Sequence, residues 1–274
     1  MHLLYHTVLS LVSEVSSDVI SEGDYVLVYV DSRRHKVVKV SRETRFESDK
    51  GCLDMGNVIG LRYGSQVPLS TGIKAYILKP LHFDLVSKFR RVTQVIYPKD
   101  AGLMILLSGI GPGSYVLEIG VGTGYLTSFI ANVVRPGGIV VGYEMRPEYA
   151  KAALRNLSNL GLDKNVIIKV ADARLGIEKA GDREFDAVFI DIPDPWNVYQ
   201  HLRNAVRPSA PIINFLPTVN QVIRLLEYVE SSSFCVDVRV FETLMREFEP
   251  TAKALRPRTL YIAHTGYIVF LRLI

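Results

Sequence analysis

Short apolar runs that alternate with polar positions dominate the first third of the chain. Tyr25-Val26-Leu27-Val28-Tyr29-Val30 leads into the polar turn Asp31-Ser32-Arg33-Arg34, then into Val37-Val38-Lys39-Val40. Two half-apolar runs about a polar turn predict a β-hairpin. Glycines at 51, 56, 60, 64 and 72 punctuate further short segments, among them Asn57-Val58-Ile59-Gly60 and Lys74-Ala75-Tyr76-Ile77-Leu78. Residues 1–84 are expected to form a small β domain, a partly closed barrel.

From about residue 85 the period changes. Strand-like runs alternate with amphipathic helical stretches, which predicts a doubly wound α/β sheet over 85–274. Leu126, Phe129, Ile130, Val133 and Val134 fit one helical face over 125–134, and Arg135-Pro136-Gly137-Gly138 stops it. A second helix starts near Pro147, carries Ala152, Ala153, Leu157 and Leu160, and stops at Gly161. A third is expected over 197–206. A fourth follows the N-cap Thr218, with Val219, Val222, Ile223, Leu226 and Val229 on one face. Stretches 235–243 and 267–274 are expected to add a terminal hairpin to the sheet edge.

Four strand-like segments, 116–118, 139–144, 166–172 and 185–191, each end in an acid: Glu118, Glu144, Asp172 and Asp191. Parallel strands present their C-terminal ends along one edge, so these acids are expected to line one crevice. The chain has 274 residues, 48% of them hydrophobic, enough for a full core and against disorder. No apolar run approaches the roughly 18–20 residues of a membrane span. The stretch 3–15 lacks a basic leader and is interrupted by His6, Thr7, Ser10, Ser13 and Glu14, so it reads as mature sequence. Cys52 and Cys235 match neither a zinc spacing nor a redox pair and read as ordinary thiols of a cytoplasmic protein rather than a disulfide. The six histidines show no ligand spacing, so no metal is expected. Net charge is +4, with seven Lys or Arg against four Asp or Glu between 31 and 50 and a second cluster at Lys88, Arg90 and Arg91. That points weakly to a polyanionic partner; composition alone fits a solvated surface better.

Gly120-Val121-Gly122-Thr123-Gly124 follows the first acid-ended strand. It fails the dinucleotide fingerprint, because Tyr125 or Thr127 stands where the third glycine belongs. A carboxylate at Glu118 repels a pyrophosphate but can accept from an ammonium group or order water. S-adenosylmethionine, a zwitterion with a sulfonium and no phosphate, fits better. Glu144 can take two ribose hydroxyls, and Asp172 an adenine amine. Any one of these acids fits a solvated strand end equally well; their succession favours S-adenosylmethionine over a nicotinamide cofactor. Asp191 is the candidate catalytic residue, opening Asp191-Ile192-Pro193-Asp194-Pro195-Trp196. Trp196, the only tryptophan, is either a core aromatic or a stacking surface for a planar substrate.

These motifs resemble the tRNA (adenine-58-N1)-methyltransferases of the archaeal and bacterial homo-oligomeric type. The matching blocks are Thr93-Gln94-Val95-Ile96-Tyr97-Pro98-Lys99-Asp100-Ala101, the loop 116–127, Asp191 to Trp196, and Arg256-Pro257 with His264-Thr265-Gly266-Tyr267. The resemblance implies a Rossmann-like S-adenosylmethionine domain, a small N-terminal β domain for RNA binding or assembly, a homotetramer and a tRNA substrate. It places Gln94 and Tyr97 beside cofactor and target base. It makes Glu118, Gly120, Gly122, Thr123, Gly124, Tyr125, Leu126 and Thr127 the cofactor loop, Glu144 the ribose ligand, and Asp172 the adenine-side ligand. Asp191 and Tyr97 become the catalytic residues, with Asp191 also at the cofactor, and Tyr97, Trp196 and His264 face the substrate. Tyr125 departs from the family's usual small residue and is expected to narrow the cofactor pocket; Asp194 replaces a more usual glutamate. The alternatives are a protein-repair carboxyl (isoaspartyl) methyltransferase and a non-catalytic tRNA-binding subunit.

Overall fold

The computed structural model describes residues 18–89, 96–179 and 182–274. Gln94, Arg90, Arg91 and the stretch 3–15 lie outside them. The chain divides into two compact units, Met1–Lys88 and Phe89–Ile274.

In the first unit β1 (Tyr25–Asp31) and β2 (Arg34–Lys39) form the expected hairpin. β3 (Arg45–Ser48) pairs with β4 (Gly51–Asp54), and β5 (Ser65–Pro68) with β6 (Lys74–Leu78). The sheet order is β2-β1-β6-β5, with β3-β4 as a separate ladder. This corrects the expected barrel: among the described residues no ladder joins the two sheets. They share a core of alternate residues instead, Val26, Val28, Val38, Phe46, Leu53 and Ile77 among them. The segment read as a strand near Val58 is a 3₁₀ turn, Met55–Val58. Met55 and Val58 are both buried, and a spacing of three matches the 3₁₀ repeat. A short helix, α1 (His82–Val86), follows.

The first described element of the second unit is α2 (Pro98–Ser108). It continues with β7 (Tyr115–Ile119), α3 (Tyr125–Val134), β8 (Ile139–Glu144), α4 (Pro147–Asn159), β9 (Val166–Val170) and β10 (Ala187–Ile190). It closes with α5 (Tyr199–Leu202), β11 (Pro211–Leu216), α6 (Val219–Ser232), β12 (Cys235–Glu242), β13 (Phe248–Glu249), β14 (Arg256–Pro257) and β15 (Tyr267–Leu273). The seven-stranded sheet runs β12-β15-β11-β10-β7-β8-β9. Strands β11, β10, β7, β8 and β9 are parallel, and β15 lies antiparallel between β11 and β12. Both faces are buried: Leu117, Val141 and Val188 on one, Val116, Val140 and Phe189 on the other. Continuous apolar strands are what a doubly covered parallel sheet requires.

Three expectations need correction. The third helix shrinks to one turn because the backbone at 205–206 turns aside to bond Phe185. In α6 the buried stripe is Val222, Leu225 and Val229, while Val219 and Ile223 are about half exposed. β7 runs on to Ile119, so Glu118 lies inside its strand rather than at its end.

Candidate active site

β10, β7, β8 and β9 are neighbours and parallel, so their C-terminal ends share one edge. A cleft of about 260 Å³ opens there, lined by Gly120, Gly122, Glu144, Asp172, Arg174 and Asp191 among others.

The glycine turn is built tightly against the last of these acids. Gly120, Gly122 and Gly124 all have positive φ, at 92°, 56° and 84°. A Cβ at Gly120 would lie 2.2 Å from the Asp191 carbonyl oxygen, and the Asp191 amide donates to Ile119 O at 2.8 Å. Loop and acid are therefore one backbone unit, and only glycine fits both demands.

Each carboxylate has a distinct surrounding. Glu144 Oε2 accepts from the Gly122 amide at 2.8 Å, and Oε1 from the Arg146 amide at 3.0 Å. An ionised carboxylate has about four acceptor sites, so two stay open. The Gly122 amide, which a phosphate would need, is already spent. Asp191 keeps part of its surface open to the cleft. Its carboxyl is pushed up to about 7, first by burial and then by the negative charge of Glu144. Glu118, in the strand that leads into the glycine turn, is 1% exposed. Among the described residues neither of its oxygens has a hydrogen-bond partner, and the hydroxyls of Thr123 and Thr127 have none either. Burial drives Glu118 up to about 8, and repulsion from Asp191 and Glu144 adds to it. Thr127 lies close enough to offset part of this without meeting hydrogen-bond geometry.

Asp172 follows β9 and is gripped by Arg174. Arg174 donates from Nε to Oδ1 at 2.9 Å and from Nη2 to Oδ2 at 2.7 Å, which holds the carboxyl below its ordinary value. Nη1 reaches Asp194 Oδ2 at 3.1 Å. Arg174 thus ties the β9 acid to the motif after β10. The sequence reading missed it; an arginine two positions after a strand-end acid was the available signal.

Of the expected site residues, Gly120, Gly122, Glu144, Asp172 and Asp191 line the cleft, while Glu118 is buried off its wall, close enough to feel the charges of Asp191 and Glu144. Thr123, Gly124, Leu126 and Thr127 lie off the cleft wall, and Leu126 packs with Ile130 in the core. Tyr125 is also buried, tilted on Phe129 at 5.4 Å, and does not line the cleft. Trp196 packs against the core, with the Arg224 guanidinium 4.3 Å from its ring centre. Tyr97 caps α2, its carbonyl taking the Asp100 and Ala101 amides. His264 sits 2.7 Å from Glu242, which raises its pKa, and 3.0 Å from the Pro217 carbonyl. None of these last three lines the cleft.

The first and last motif blocks do meet. Lys99 Nζ donates to Asp100 at 2.9 Å and to Thr265 Oγ1 at 2.6 Å, while Thr265 also donates to Asp100 Oδ2 at 2.7 Å. They form a buried polar knot between α2 and the approach to β15.

Residues 75–265 match the tRNA methyltransferase complex GCD14 subunit family. The chain belongs to this family. One relative, the tRNA (adenine(57)-N(1)/adenine(58)-N(1))-methyltransferase TrmI of Methanocaldococcus jannaschii, is 32% identical over 269 residues, covering 89% of this chain and 93% of that protein. A SAM-dependent O-methyltransferase of Thermotoga maritima superposes with a TM-score of 0.87 at 31% identity, over 95% of this chain and 97% of that one. The tRNA (m1A58) methyltransferase TrmI of Aquifex aeolicus does so with a TM-score of 0.79 at 30% identity, over 93% and 99%. The GCD14-family chain therefore carries a Rossmann-like methyltransferase sheet and is an enzyme of that class, as its motifs led us to expect. Both cysteines are free, and the described residues hold neither a metal-ligand cluster nor a helix long and apolar enough to cross a membrane.

Proposed function

We propose that the protein uses S-adenosylmethionine to methylate N1 of adenine 58 in the T-loop of tRNA. The observation that carries this is the cleft shared by Glu144, Asp172 and Asp191 over the glycine turn. The residues fit the cofactor. Unfilled buried acceptors at Glu118, Thr123 and Thr127 suit an ammonium group or its water, and the loop amide spent on Glu144 disfavours a phosphate. When bound, S-adenosylmethionine supplies an electrophilic methyl group on a positive sulfonium.

The chain's own part is positioning and charge. Glu144 offers its two open acceptor sites to the ribose hydroxyls. Asp172, oriented by Arg174, faces the adenine side. Gly120 and Gly122 permit close backbone approach. As N1 of the target adenine gains a carbon bond, positive charge spreads to its N6 amine. An ionised Asp191 accepting from N6 stabilises that charge more in the transition state than before it. Adenine 58 must leave its stack to reach such a pocket. Gln94, Tyr97, Trp196 and His264 are proposed as outer contacts for the extruded base and T-arm, with Thr123, Gly124, Tyr125, Leu126 and Thr127 shaping the cofactor loop from behind.

Residues 1–84 are proposed to bind RNA and residues 85–274 to catalyse, in the cytoplasm. A homotetramer is proposed too. Edge strand β12 exposes Val236, Val238 and Val240, an apolar edge that self-association would cover. Labelled S-adenosylmethionine incubated with unmodified tRNA or with aged peptide tests the reading. Label is expected in the RNA; label on peptide carboxyls, or in neither, would refute it.

A further inference from the structure

Four side chains from four strands line up across one face of the first unit's sheet. The register sets His35 opposite Tyr29, Tyr29 opposite Tyr76, and Tyr76 opposite Gln66. Directly opposed residues share a face. Their neighbours Val28, Ile77 and Val67 point the other way, into the core. The row therefore stands on the solvent side: His35 and Gln66 are exposed, Tyr76 is 40% exposed and Tyr29 half-buried. The Tyr29 and His35 rings stack, 28° apart in plane with centroids 6.1 Å apart.

Cations flank this row. Lys74 precedes Tyr76 by two positions on the same strand face. Further along the face of β1, Lys88 and Lys39 sit 5.2 and 6.0 Å from the Tyr25 ring centre. Of the nearby acids, Asp31 and Asp49 are both tied to Arg34 and offset little of that charge.

A single exposed aromatic needs no explanation, but folding gains little from aligning two exposed rings with a third that is only half-buried. We infer that the His35–Tyr29–Tyr76–Gln66 row is a stacking platform for unpaired bases of the RNA substrate, with Lys39, Lys74 and Lys88 meeting adjacent phosphates. This rests on the tRNA reading above. Every base has a π-face, so rings in a row hold consecutive unstacked bases, and Gln66 can bond a base edge. Lysines beside the rings add a salt-dependent contribution that the rings do not.

The test is binding of an unmodified tRNA transcript to the full-length protein over a series of salt concentrations. Tyr76→Ala should weaken binding about tenfold and leave the salt slope unchanged. Tyr76→Phe should stay within about twofold, since the ring remains. Lys74→Ala should lower the slope of log K against log salt by about 0.7. S-adenosylmethionine affinity and methyl transfer at saturating tRNA should survive in all three. Unchanged tRNA affinity in both Tyr76→Ala and His35→Ala overturns the inference, as does an altered subunit count with unaltered affinity. If the wild type itself neither binds nor methylates tRNA, the functional reading falls along with it.

Discussion

Replacing Glu118 with glutamine is expected to stabilise the protein, increasingly so as pH rises. The carboxyl is buried without a partner among the described residues and is pushed up to about 8 from an ordinary 4.5. Its folded value lies above its unfolded one, so between them the folded chain keeps a proton that the unfolded chain releases. Stability is full below about pH 4.5, declines through the window and levels off above about 8. At ~1.4 kcal/mol per pH unit, the loss reaches roughly 3 kcal/mol at pH 7 and about 5 kcal/mol above pH 8. Glutamine keeps the shape and cannot ionise. For a unit of this size ~1 kcal/mol moves Tm by about 2–4 °C, so Glu118→Gln should melt about 6–12 °C above wild type at pH 7. The two should nearly coincide at pH 5. Calorimetric melting of both proteins from pH 5 to 8 at fixed ionic strength reads this out. A constant gap over that range, or a lower Tm for the variant at pH 8, would show that Glu118 is charged and paired in the fold.

With ionised Asp191 proposed as the working form, kcat/KM for methyl transfer should fall about tenfold per pH unit below about 7 and be flat above it. Asp191→Asn should flatten that profile and slow transfer about 100- to 1000-fold; a flat wild-type profile from pH 5.5 to 7 counts against the role. Arg174→Met removes the main partner of Asp172, so KM for S-adenosylmethionine should rise about tenfold with kcat less affected, and Arg174→Lys should recover part of it; unchanged KM in Arg174→Met contradicts the positioning role. Asp100→Ala takes the counter-charge from the 7%-exposed Lys99 cation, leaving it only neutral acceptors on Thr243 and Thr265, and should destabilise the protein by about 3–5 kcal/mol in urea unfolding, whereas a loss under 1 kcal/mol would mean the ion pair matters little.

Much of the cleft was legible because parallel strands convert a one-dimensional pattern into a spatial one. Apolar runs ending at Glu144 and Asp191 had to place those acids on a common edge, and the glycine turn had to precede α3. Strand ends are less sharply encoded: one more apolar residue, Ile119, is enough to bury Glu118. Long-range polar pairing left almost no trace. Nothing in the spacing says that Arg174 reaches Asp194, or that Lys99 meets Thr265 across most of the second unit. In α5 a helical pattern yielded to tertiary demand, because Ala205 and Val206 served the edge beside Phe185 better than a further helical turn.

Mass spectrometry of nuclease-digested tRNA, taken after reaction of the unmodified transcript with the protein and S-adenosylmethionine, addresses the central claim most directly. The expected product is 1-methyladenosine at position 58 of the T-loop. A methyl group on a ribose oxygen, on another base, or on no nucleotide at all would contradict the account.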